Sequence, residues 1–132
     1  MMNKPSLALL LLCCAGCSTA TGYEGPRKAA EEVATVEGWG VTLHRVNGKT
    51  IGVNASGVEV LPGSNEFELT VDASNYHTTG PEDGARFLTM QAEAGSKYAV
   101  TAKRGDGRVC AFPLDMQGDP DFSHPAGCLE RR

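Results

Sequence analysis

The chain has 132 residues, which at the usual length per domain allows one small domain and excludes a multidomain enzyme. Its 12 basic and 16 acidic side chains give a formal net charge of −4, and the basic residues are scattered along the sequence. Because phosphate backbones require a concentrated basic surface, we predict that the protein does not bind nucleic acid. The 16 glycines and 7 prolines are typical of a chain with many turns and short strands.

Residues 1–16 have the pattern of a secretory signal. Lys4 precedes an apolar run over residues 7–15, and the small residues Ala15 and Gly16 precede Cys17. The run is shorter than the ~18 apolar residues of a membrane-spanning helix. Residues 12–17 (LCCAGC) resemble the lipobox of bacterial lipoproteins, although Cys14 stands where Leu is usual. The resemblance implies that residues 1–16 are removed and that Cys17 receives a diacylglyceryl group.

The lipobox resemblance also implies a location. Ser18 follows the modified cysteine, and by resemblance to the sorting rules of enteric bacteria it favours the outer membrane. Two or three acyl chains attach a protein stably to a bilayer, whereas one chain does so only marginally. We therefore expect a protein anchored by lipid to the outer membrane and facing the periplasm. We also expect residues 17–28 to be a flexible tether, with no strand or helix before Ala29.

The five cysteines support export. Cys13 and Cys14 leave with the signal and Cys17 is lipidated, so Cys110 and Cys128 remain as a pair. An even number of remaining cysteines in an exported domain predicts a disulfide between these two. The alternative, a metal site that uses the two thiols, lacks the paired CxxC spacing typical of zinc sites.

Residues 29–132 are predicted to form an all-β domain, a small antiparallel β-sandwich of seven or eight strands with a C-terminal tail held by the disulfide. Alternation is clearest in residues 66–73, where Phe67, Leu69, Val71 and Ala73 share one face. Asn47-Gly48 predicts a type I′ hairpin, and Pro62-Gly63 predicts a type II turn. One helical turn is expected within residues 28–32. The other residues predicted to point inwards are Val41, Leu43, Leu88, Met90, Ala92, Tyr98, Val100 and Ala102.

No catalytic motif accompanies the three histidines, His44, His77 and His124. We therefore predict a non-enzymatic protein with no catalytic residues, no metal site and no cofactor, and we interpret His44 as a surface residue. An alternative is a small metal-dependent envelope factor that uses His77, His124 and the acidic loop. That loop carries Asp115, Asp119 and Asp121, whose oxygens suit calcium, but it lacks the later Glu of an EF-hand.

The longest polar connection covers residues 74–85, and loops of this length are often functional. A second alternative is therefore an inhibitor that inserts this loop into a cell-wall hydrolase. Three aromatic residues, Tyr23, Trp39 and Tyr76, are candidates for stacking on a sugar or peptide, although we interpret Trp39 as the edge of the core.

A series of short motifs resembles a group of small, largely uncharacterised bacterial lipoproteins. The Pro-Gly turn before an alternating strand, followed by Ala-Gly and a second strand, is also similar to PEGA-type domains, which are small β-sandwiches of bacterial envelope proteins. The group usually has a His two residues after the Pro-Gly pair, where this chain has Asn65. The resemblance implies fold and location and names no ligand. Its motifs are residues 23–26 (YEGP), 32–34 (EVA), 46–48 (VNG), 61–63 (LPG) and 94–98 (AGSKY).

These observations favour a non-enzymatic outer-membrane lipoprotein that acts as an envelope binding or assembly module. The expected contacts are the membrane, through the N-terminal lipid, and an envelope protein. A sheet edge could accept an extended segment of that partner through main-chain hydrogen bonds.

Overall fold

A computed structural model describes residues 19–52, 57–71, 86–102 and 107–130. These residues form two β-sheets, and their only helical element is a 3₁₀ turn at Ala30–Glu32. The all-β prediction and the single helical turn are confirmed. The strands are β1 (Thr19–Thr21), β2 (Ala34–Gly38), β3 (Val41–Val46), β4 (Lys49–Thr50), β5 (Gly57–Val60), β6 (Gly63–Val71), β7 (Arg86–Ala92), β8 (Lys97–Ala102), β9 (Val109–Pro113) and β10 (Gly127–Cys128).

Two details of the predicted sandwich are wrong. The described residues contain ten strands instead of seven or eight, because β1, β4 and β10 have only two or three residues and leave no periodic pattern in the sequence. The first sheet, with strand order β1-β5-β2-β8-β9-β10, is mixed instead of antiparallel. Its β1/β5 and β2/β8 pairs are parallel, while the second sheet, β4-β3-β6-β7, is antiparallel.

The core lies between the two sheets, and its largest members come from the strands that the alternation identified. Phe67 and Leu69 of β6 are completely buried, as are Leu88 of β7 and Val100 of β8 in the opposite sheet. Burial of a large aliphatic or aromatic side chain stabilises a fold by about 1.5–3 kcal/mol. Of the other residues predicted to point inwards, Val41, Met90, Ala92 and Tyr98 are buried, Leu43, Val71 and Ala102 are half-buried, and Ala73 lies outside the described residues.

The two predicted turns have the required backbone conformation. Asn47 and Gly48 have φ values of 51° and 83°, as a type I′ hairpin between β3 and β4 demands. Gly63 has a φ of 107°, consistent with the glycine position of a type II turn. A register shift between Leu43 and Arg45 interrupts β3, and it brings Val46 into the core.

The prediction of a flexible tether is wrong for residues 19–28. β1 pairs with β5, and Tyr23, two residues after β1, is buried. The Tyr23 hydroxyl accepts a hydrogen bond from the Lys28 N–H at 3.0 Å. Arg27 bonds both carboxylate oxygens of Glu59, at 3.2 and 3.3 Å. The sequence did not indicate this segment because its small and polar residues are fixed by backbone pairing and one aromatic ring.

The C-terminal segment joins the two sheets along one side of the sandwich. β10 pairs with β9, while Leu129 forms a bridge with Leu88 of β7. The Glu130 N–H donates to the Phe87 carbonyl at 2.9 Å. Gly127 lies so close to the backbone of Thr89 that a Cβ atom there would overlap the Thr89 carbonyl oxygen. The outer edge of β7 is therefore covered by the tail.

The strand directions define two ends of the sandwich. The N-terminal end contains Thr19 and the connection between β2 and β3, because Thr19 pairs with Gly57 and Gly57 pairs with Glu37. The distal end contains the β1–β2 connection, the hairpin turn at Asn47-Gly48 and residues 61–63, 93–96 and 114–125.

Candidate functional site

The acidic loop lies at the distal end, where Asp115 organises a tight turn. Its Oδ1 atom accepts hydrogen bonds from the N–H groups of Gln117 and Asp119, both at 2.9 Å. The Asp115 N–H donates to the Asp119 carbonyl, and the Gly118 N–H donates to the Asp115 carbonyl, also at 2.9 Å. This carboxylate therefore shapes the loop by bonding to the backbone, as Asp commonly does in turns.

Asp121 has a similar role in the next turn. Its Oδ1 accepts from the Ser123 N–H at 3.0 Å, and its Oδ2 lies 3.0 Å from Nδ1 of His124. The hydrogen bond with His124 and then that with Ser123 hold the pKa of Asp121 below its ordinary value. All three residues are exposed, so this arrangement orders a surface loop.

The metal-site alternative receives no support from the described residues. Within them, no group of three or more His, Cys, Asp or Glu side chains is arranged to hold a metal ion. His124 is engaged with Asp121, and one oxygen of Asp115 is used by the turn. His77, together with the long polar connection of residues 74–85, lies outside the described residues.

Three exposed apolar side chains share the distal end with these carboxylates. Met116, at the tip of the Asp115 turn, is 98% exposed, and Leu61 and Phe122 are exposed by about two-fifths. Phe122 packs edge-on against Phe112, with ring centroids 4.9 Å apart. Met and aromatic side chains are enriched in protein–protein interfaces, so Met116 and Phe122 make this end a candidate contact surface for a protein. The sequence contains a signal for these exposed residues, because Met116 and Phe122 are large apolar residues within a Pro/Asp/Gly-rich stretch.

Asn65 is a buried polar residue that the sequence interpretation did not assign a role. It is 3% exposed, and its Nδ2 donates to the carbonyls of Leu61 at 2.9 Å and Gly63 at 3.1 Å. Its Oδ1 accepts from Nδ2 of Asn47 at 2.9 Å. Asn65 therefore joins the turn before β6 to the hairpin turn between β3 and β4. The burial of Asn65 could be predicted from the sequence, because Asn65 lies two residues before Phe67 on the apolar face of the alternating strand.

The remaining candidates are distributed over the molecule. His44 is half-buried instead of fully exposed, with Nε2 2.9 Å from Oγ1 of Thr70, because the irregular register of β3 turns it towards the neighbouring strand. The Tyr23 ring is buried and unavailable for stacking. Trp39 is 37% exposed at the N-terminal end, and Tyr76 lies outside the described residues. Of the two aromatic candidates in the described residues, only Trp39 is therefore accessible for stacking.

The predicted disulfide is confirmed. Cys110 and Cys128 occupy paired positions of β9 and β10, with an S–S distance of 2.06 Å and a Cα–Cα distance of 3.9 Å. This cross-strand disulfide holds the tail in the place where it also bonds to β7. Cys17 lies outside the described residues.

Comparisons with known proteins yielded no relatives: no family model, no curated protein and no solved structure matches the chain. Across the part of the chain that the structure describes, no helix is long and apolar enough to cross a membrane.

Proposed function

We propose that this protein is a non-enzymatic lipoprotein of the bacterial outer membrane that faces the periplasm and acts as an envelope binding or assembly module. The observation that carries the proposal is the cross-strand disulfide, since such bonds persist in oxidising compartments and are rare in the bacterial cytoplasm. Export agrees with the signal pattern of residues 1–16 and with the lipobox that ends at Cys17.

The distal end is the binding surface that we favour. It presents Met116, Phe122 and Leu61 among the carboxylates of the acidic loop. The sheet edges suit a partner less well. The edge of β7 is covered by the tail, and the other outer strands, β1, β4 and β10, have three, two and two residues. Short edge strands are a common means of preventing strand addition. A partner recognised through loops is therefore favoured over one that adds a strand.

Cell fractionation tests the location. The protein should appear in the outer-membrane fraction, and the Cys17→Ser variant should be released into the soluble periplasm. The variant with Cys110 and Cys128 both replaced by Ser is the matched control, because it should remain membrane-bound. Membrane association of the Cys17→Ser variant equal to that of the natural protein would contradict lipid attachment at Cys17.

Crosslinking in intact envelopes tests the binding role. A photoreactive residue at position 116 should capture an envelope protein, and the same residue at position 108, at the N-terminal end, serves as the control. Met116 and Arg108 are both exposed on the domain surface. Equal capture at the two positions, or capture at position 108 alone, would argue against the distal end as the binding surface.

A further inference from the structure

The first described strand lies close in sequence to the proposed lipid attachment site. β1 starts at Thr19, two residues after Cys17. Two residues of extended chain span at most about 7 Å. β1 is fixed to the domain by its pairing with β5 and by the hydrogen bond from the Gly22 N–H to the Glu59 carbonyl at 2.7 Å. If Cys17 carries the proposed lipid, this short connection keeps the N-terminal end of the sandwich close to the membrane surface.

Trp39 is held at the same end of the sandwich. Thr19, Gly57 and Glu37 lie side by side on three neighbouring strands, so the start of β1 is about 10 Å from Glu37. Trp39 lies two residues beyond Glu37, at the end of the sandwich where β1 begins. Trp39 is therefore at the end of the sandwich to which the proposed lipid anchor is tethered by at most two residues of chain.

The position of Trp39 is fixed by its backbone. Its N–H donates to the Val100 carbonyl at 3.0 Å, and the turn continues through Gly40, which has a φ of 79°. Gly38 is also constrained, since a Cβ atom there would lie 2.6 Å from the Val41 carbonyl oxygen. The indole Nε1–H donates to Oε1 of Glu37 at 3.0 Å. The ring is thus partly exposed on a tight turn instead of on a long, adaptable loop.

We propose that the N-terminal end of the sandwich is a membrane-contact surface in which Trp39 lies in the headgroup region of the bilayer that holds the acyl chains of Cys17. Trp is enriched at membrane interfaces because its ring is apolar and its N–H is polar. The other exposed large apolar residues of the described chain, Leu61, Met116 and Phe122, lie at the distal end. The acidic loop is also distal, so it faces away from the bilayer and towards the periplasm.

The chain contains a single tryptophan, which makes Trp39 a native fluorescent probe. We would reconstitute the full acylated protein into vesicles of phosphatidylethanolamine and phosphatidylglycerol, with and without bromine-labelled acyl chains. Trp39 emission should be quenched by the brominated lipid. The control is the Trp39→Phe/Met116→Trp double variant, which moves the probe to the distal end and should lose no emission. Quenching of the distal probe to the same extent, or none of Trp39 in vesicle-bound protein, would refute the membrane-contact surface.

Two further measurements distinguish failure of the proposed lipid anchor from failure of the membrane-contact surface. Mass spectrometry and vesicle flotation report acylation and attachment independently of fluorescence. If the protein carries no lipid at Cys17 and does not float, both the proposed anchor and the membrane-contact surface are refuted. If it floats while Trp39 remains unquenched, only the membrane-contact surface is refuted, and the N-terminal end then faces another protein or water.

Discussion

Replacement of Asn65 offers a sensitive test of how the turns at the distal end are held together. In Asn65→Ala, the carbonyls of Leu61 and Gly63 lose their side-chain donors. These bonds are part-buried, and a typical intramolecular hydrogen bond contributes about 0.5–1.5 kcal/mol net. The Asn47 amide also loses its acceptor, but Asn47 is exposed and can bond to water. We expect the free energy of unfolding to fall by about 1–3 kcal/mol in urea titrations.

The isosteric Asn65→Asp variant separates hydrogen bonding from packing. Its carboxylate cannot donate to the two carbonyls, so at neutral pH the loss of stability should be at least as large as that of Asn65→Ala. Burial raises the pKa of an introduced carboxyl, and its protonated form donates one hydrogen bond. The loss relative to the natural protein should therefore shrink as the pH is lowered. Ser64→Ala, at the exposed neighbouring position, is the control and should change stability by less than about 0.5 kcal/mol. If Asn65→Asp is as mild as this control, the assigned network does not contribute to stability.

Three further predictions concern single structural features. Replacing both cysteines of the cross-strand disulfide by serine should lower the free energy of unfolding by about 3 kcal/mol, given their separation of 18 residues, and two free thiols in the exported natural protein would contradict the pairing. Gly63→Ala should cost about 1–2 kcal/mol, purely from its φ of 107°, because no atom lies within 4 Å of the added Cβ. Gly52→Ala, which has equal space and no positive φ, should be nearly neutral, and equal melting temperatures for the two variants would refute this account. In a carboxyl NMR titration, Asp121 should protonate at lower pH than an ordinary Asp, so its stabilising contribution is present above the unfolded-state pKa and is lost as the pH falls through the folded-state pKa. His124→Ala should move that pKa back towards the ordinary value, and an unchanged titration would exclude His124 as its main cause.

The features that could be predicted are those set by local chemistry. The alternation around Phe67 and Leu69 identified a half-buried strand because side chains on a strand point to opposite faces. Asn47-Gly48 identified a hairpin because few other residue pairs adopt positive φ at both positions. The pairing of Cys110 with Cys128 followed from counting the cysteines that remain after export. At the candidate surface, the acidic loop could be predicted from its composition alone.

Other features depend on contacts between residues far apart in the chain. The parallel pairing of β2 with β8 and of β1 with β5 has no local signal, because backbone hydrogen bonds do not depend on side-chain identity. The composition of residues 19–28 is that of a tether. In the structure, the burial of Tyr23 and the bonds from Arg27 to Glu59 fix them to the domain. Asn65 looked like a departure from a family pattern, and only the approach of two turns gives its amide partners.

The sequence by itself determined the all-β class, the main turns and the disulfide, since each depends on the conformational preference or chemistry of a few neighbouring residues. Tertiary structure alone decided which strands are neighbours, that residues 19–28 belong to the domain, and which side chains share an end of the sandwich. The start of β1 and Trp39 lie at one end and the acidic loop at the other because of the strand directions. Strand direction is set by how the whole chain buries its apolar faces, and no short segment specifies it.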